Sequence, residues 1–151
     1  MIDVATFMKS GDQLVPIADF RGPIANERYV EGAIELTIDG TRLLTREQVD
    51  YVDQLWDYLL EGLECTAEGI PFSTYFPDMP IRITFTPEGG RVTLTVDNRR
   101  HVVSATVPSN ELLKALVPAA TDVFQRLLPL LPEQKPVNEH ALDRLSRLPI
   151  R

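Results

Sequence analysis

The side chains with the most capacity for chemistry are carboxylates. Asp50, Asp53, Asp57, Glu61 and Glu64 follow one another at intervals of 3, 4, 4 and 3 residues, the spacing that lines side chains along one side of an α-helix. From Arg46 to Glu64 there are six acids (Glu47 and these five) against one base, so this segment carries -5 of the chain's formal charge of -7. Each like-charged pair at such spacing costs about 0.2–0.5 kcal/mol, and a helix under no other demand would interleave lysines. Tyr51 and Tyr58 flank the ladder, and aromatic rings beside charge that can be desolvated are the usual anchors of protein interfaces. The pattern predicts a face for docking a basic protein, although an acidic protein also shows such a run to water simply to stay soluble. A cation held by Asp53, Asp57 and Glu61 is disfavoured, because calcium takes about six to eight converging oxygens and side chains on one straight helix diverge. No metal or other cofactor is expected.

Enzymatic groups are sparse. His101 follows Arg99-Arg100 and His140 lies near the C-terminal end, and neither sits in a nucleophile, Walker, zinc-protease or dinucleotide motif. Gly89-Gly90 reads as a hairpin turn, with no helix after it to cradle phosphate. Cys65 lies beside Glu64 at the end of the predicted acidic helix, where the helix dipole and the carboxylate both disfavour a thiolate. The alternative to a docking module is a small enzyme or ligand-binding domain, with a pocket between the aromatic segment 72–76 and a sheet and His101 as acid or base.

These side chains need elements to position them. Residues 1–28 read as irregular, with one early hairpin turning at Ser10-Gly-Asp12, because Gly11, Pro16, Gly22 and Pro23 punctuate short apolar runs. Val30, Gly32, Ile34, Leu36 and Ile38 alternate with polar neighbours as a strand with one buried face, and Asp39-Gly40 turns. Thr45 and Gln48 have capping-box spacing, which predicts a helix from about Arg46 to Glu64 with Leu55, Leu59, Val52, Leu63, Trp56, Val49 and Leu60 in one arc. Gly62 is expected to weaken its last turn.

Residues 66–80, with four prolines and glycines among Phe72, Tyr75 and Phe76, read as an aromatic loop tucked against the core edge. Three alternating stretches, 81–86, 91–96 and 101–107, make a meander turning at Pro87–Gly90 and Asp97–Arg100. A second helix from Ser109 carries Leu112 through Leu127 at helical spacing, with a kink or break expected at Pro118. Residues 133–151 form a short helical tail that Asn138 could cap. Strand, helix, three strands, helix describes a single α+β domain over 1–151: an antiparallel sheet of about four strands with helices on one face and a threonine-rich solvated face on the other.

Composition agrees with one soluble domain. At 151 residues with 44% hydrophobic side chains, a fold buries roughly 68–70% of its unfolded surface and needs no staple. One cysteine excludes an internal disulfide, and with two histidines it excludes a zinc finger. The N-terminal residues lack the pattern of a signal peptide and no run suits a membrane span, so a cytoplasmic location is expected. Acidity, with 22 Asp+Glu against 15 Lys+Arg, argues against nucleic acid and for a basic protein partner. An exposed sheet edge or the leucine-rich C-terminal region would allow homo-oligomers.

The segment Tyr29-Val-Glu-Gly-Ala-Ile-Glu-Leu-Thr-Ile-Asp-Gly40, with Asp53-Gln-Leu-Trp-Asp-Tyr-Leu-Leu-Glu-Gly-Leu63, resembles small bacterial proteins similar to the immunity proteins of polymorphic toxin systems. The resemblance covers about the middle third of the chain. It implies an inhibitor that binds a toxin domain without catalysis of its own, and it assigns no individual residue.

Overall fold

The computed structural model describes residues 1–150. It is an α+β protein with two antiparallel sheets and three helices. The chain opens with β1 (Ile2–Ser10) and β2 (Gln13–Pro16), joined at the expected turn, so most of the segment read as irregular is a hairpin. Next come β3 (Glu31–Ile38), β4 (Thr41–Leu44) and the short β5 (Asp50–Tyr51). They complete a sheet in the order β2-β1-β3-β4, with β5 sharing the far edge of β3. Gly32 is required in β3, where an added Cβ would lie 2.3 Å from the Phe7 carbonyl oxygen.

Helix α1 (Val52–Ala67) starts six residues later than the capping-box reading placed it. The Gln48 side chain does accept the Thr45 amide at 2.9 Å, as such a box requires, but it closes a turn ahead of β5. Asp50 and Tyr51 pair with Gly32 and Glu31 of β3, and that pairing holds the chain extended until Val52. The apolar arc of α1 is buried as expected, except that Val49 falls outside the helix. Trp56 is fully buried, and its indole N–H donates to Thr6 Oγ1 on β1 at 3.0 Å.

The second sheet runs β6 (Phe72–Tyr75), β7 (Arg82–Glu88), β8 (Arg91–Asp97) and β9 (Val102–Pro108) in sequence order. The meander stands as read, and part of the aromatic loop becomes its fourth strand. Phe72 tilts against Phe85 and Phe76 is buried, while Tyr75 turns to solvent. Ile83, Phe85, Val92, Leu94 and Val96 form the inner face. On the outer face, hydroxyl groups join neighbouring strands through Ser73 and Thr84 (3.0 Å), Thr95 and Ser104 (3.0 Å), and Thr93 and Thr106 (2.7 Å).

Helix α2 (Ser109–Leu127) runs through Pro118 as one element. Pro118 supplies no N–H to the Lys114 carbonyl four residues back, and both residues lie on the exposed side of the helix. Helix α3 (Lys135–Ser146) packs on α1 and α2 with Ala141 and Leu145 buried. Asn138 lies within its first turn and is not its cap.

Candidate functional site

The acidic ladder is not one continuous exposed stripe. Asp50 precedes α1 and is buried, and its carboxylate accepts backbone N–H groups from Tyr51 (2.7 Å), Asp78 (3.1 Å) and Met79 (3.0 Å). It ties β5 to the turn before β7 and has no surface to offer a partner. Tyr51 also lies off the helix, packed on Tyr29 with ring centroids 5.3 Å apart, so it does not line up with Tyr58.

Further along α1, Arg144 of α3 reaches across the seam. Its guanidinium donates to Asp57 Oδ1 at 2.8 Å and to both oxygens of Glu64 at 2.5 and 3.2 Å. The Arg144 side chain is 22% exposed, and hydrogen bonding to Glu64 raises its pKa, with Asp57 adding to the effect. One cation for two carboxylates leaves this part of the seam negative. Glu61 projects into solvent.

Asp53 is different from its neighbours. It is half-buried, no basic group pairs with it among the described residues, and its Oδ1 is shut away without a hydrogen-bond partner. Burial pushes its pKa up from 3.8 to about 6; the amides of Gln54 and of Asp53 itself work the other way, and Asp57 adds a smaller push. Across the seam, Asn138 is only 3% exposed and its Nδ2 also lacks a partner.

Both residues line one cleft of about 390 Å³, together with Asp57, Tyr58, Phe124 and Val137. Glu27 and Arg28 line it as well, from the segment before β3. That segment is fastened to the approach to α3, where the Glu133 amide donates to Glu27 at 3.0 Å. The cleft thus combines three carboxylates, an apolar wall and two orphaned polar atoms. Sequence reading found Asp53, Asp57 and Tyr58. It missed Glu27, Asn138 and Arg144, whose only sequence signal was polar character on a short amphipathic helix or in a loop.

His101 is exposed and, among the described residues, its ring makes no hydrogen bond. It borders a concavity of about 480 Å³ with Glu47, Arg42 and Arg100, all exposed, and none of residues 72–76 takes part. Cys65 has its thiol pKa raised by burial, with Glu61, Glu68 and Glu64 contributing. A further concavity, about 780 Å³ between the end of α1 and the start of α2, sets Glu68 and Glu88 against Arg91. Gly89-Gly90 lies there beside the start of α2, whose Ser109 amide donates to the Gly90 carbonyl at 2.9 Å.

Among the described residues, no group of three or more His, Cys, Asp or Glu could hold a metal ion, and no helix is long and apolar enough to cross a membrane. No family model, curated protein or solved structure matches the chain.

Proposed function

We propose that this protein is a non-enzymatic binding module, immunity-like in kind, that docks a basic partner such as a toxin nuclease on the exposed side of α1. The observation that carries this reading is the shortage of internal cations on that side. Asp57 and Glu64 share one guanidinium, Glu61 faces water, and among the described residues Asp53 has no counter-charge. The docking face is narrower than the sequence suggested, comprising Asp53, Asp57, Tyr58, Glu61 and the rim of Glu64, without Asp50 and Tyr51. Uncompensated negative charge on one side steers a positive body into encounter and raises the association rate more than the final affinity. The enzymatic alternative at His101 has less support, since that ring is exposed and, among the described residues, no carboxylate or hydroxyl bonds to it.

The test begins with affinity capture from the native cell and proceeds to kinetics with the purified captured protein. A basic partner should associate several-fold more slowly when salt is raised from about 0.05 to 0.5 M, and more slowly again with Glu61→Lys. An acidic or neutral partner, or association indifferent to both changes, would remove this reading.

A further inference from the structure

The orphaned atoms in the α1–α3 cleft point to what the partner brings. We infer that this cleft receives the side-chain cation of an arginine or lysine from the basic partner, seated between Asp53 and Asn138. The inference rests on the docking reading above and adds to it an anchor residue and its place.

Three observations support it. Asp53 has one oxygen closed off from water and unbonded, and among the described residues no arginine, lysine or histidine pairs with it. A half-buried carboxyl in that condition gains most from a cation that supplies both charge and donors. Asn138 lines the same cleft from the other helix, 3% exposed and with an unbonded amide nitrogen. The same side-chain amide carries a carbonyl oxygen, the acceptor a cation can use. Phe124 and Val137 supply apolar surface for the methylene stem of a long basic side chain.

The charge balance favours a cation over an anion. Asp53 and Asp57 on α1 and Glu27 from the preceding segment line the cleft against Arg28, which is exposed at the same segment. Arg144 on α3 is already engaged by Asp57 and Glu64. The concavity at the start of α2 has an orphaned hydroxyl too, on Thr66, but its two glutamates and one arginine surround no comparable unpaired charge.

The experiment titrates the full chain, isotopically labelled for NMR, with N-acetyl-argininamide and N-acetyl-lysinamide as stand-ins for the partner's side chain, and with free arginine as a separate arm. At least one capped amide should shift the Asn138 side-chain amide and the Gln54 and Tyr58 resonances at millimolar concentration. Asp53→Asn, nearly isosteric, should weaken that binding about tenfold. Because only ionised Asp53 attracts the cation, and its pKa is about 6, binding should tighten about tenfold between roughly pH 5 and pH 7. Glu27, Arg28, Asp57, Tyr58 and Arg144 surround this titration, so the Asp53→Asn variant, which should lose the pH dependence, is its control.

Shifts confined to residues outside the cleft, no shift with either capped amide, or binding that Asp53→Asn leaves intact would each overturn the inference. Tighter binding of free arginine than of its capped form would also overturn it, by making the cleft an amino-acid site. If the cleft fails while the captured partner still associates in a salt-sensitive way, the docking face stands without this anchor. If that association is salt-insensitive, the docking reading falls on its own account.

Discussion

Burial acts on Asp53 in the direction that favours its protonated form, and this gives one residue a measurable signature in folding. In the unfolded chain the carboxyl ionises around its ordinary 3.8, while in the folded protein it holds its proton to about 6. Between those values the folded state binds more protons than the unfolded state, so this group's contribution to stability falls as pH rises through that window and stays reduced above it. Asp53→Asn removes the ionisation and keeps the shape. It should stabilise the protein by roughly 1–3 kcal/mol at about pH 7.5 and leave it nearly unchanged at about pH 3.5, as chemical denaturation at the two pH values will read. Asp50, three residues earlier, is bonded where Asp53 is not: three backbone amides donate to its carboxylate.

At the scale of elements, α1 lies directly against β7 at one glycine. A Cβ on Gly62 would lie 2.4–2.7 Å from three ring carbons of Phe85, which is fully buried and has no room to withdraw. On an exposed helix Gly→Ala gains about 1 kcal/mol. Here Gly62→Ala should instead cost about 1–3 kcal/mol through overpacking, seen as a lower thermal midpoint. The sequence offered only the helix-weakening side of this glycine, because the ring it meets lies 23 residues away in the chain. The same limit governs the rest. Period-two alternation made β3 and the β7–β9 meander legible, and period 3.6 gave the buried arcs of α1 and α2, since those signals are local. The start of α1 was not legible, because β5 is held extended by pairing with β3, a contact that no local pattern encodes. The ladder was misread for the same reason: Arg144 reaches Asp57 and Glu64 from 87 and 80 residues away.

For the whole molecule, α3 acts as the closing piece. Its Ala141 and Leu145 are buried, and Arg144 bridges to α1. A chain ending at residue 131 should lose at least about 3 kcal/mol from the uncovered apolar surface and the unmatched carboxylates, with a lower urea midpoint as the readout. Such a chain would also lack Asn138, so binding and stability would decline together and need separate assays. The face of the second sheet turned away from α1 is built differently: Phe85 points inward to Gly62, and Thr84 and Thr86, its neighbours, therefore point outward. That wall has a practical use. A cysteine placed at the exposed Thr86 would give a tether for immobilising the protein on a sensor chip with its acidic side free, while the native thiol, its pKa raised by burial, would compete poorly for the coupling reagent.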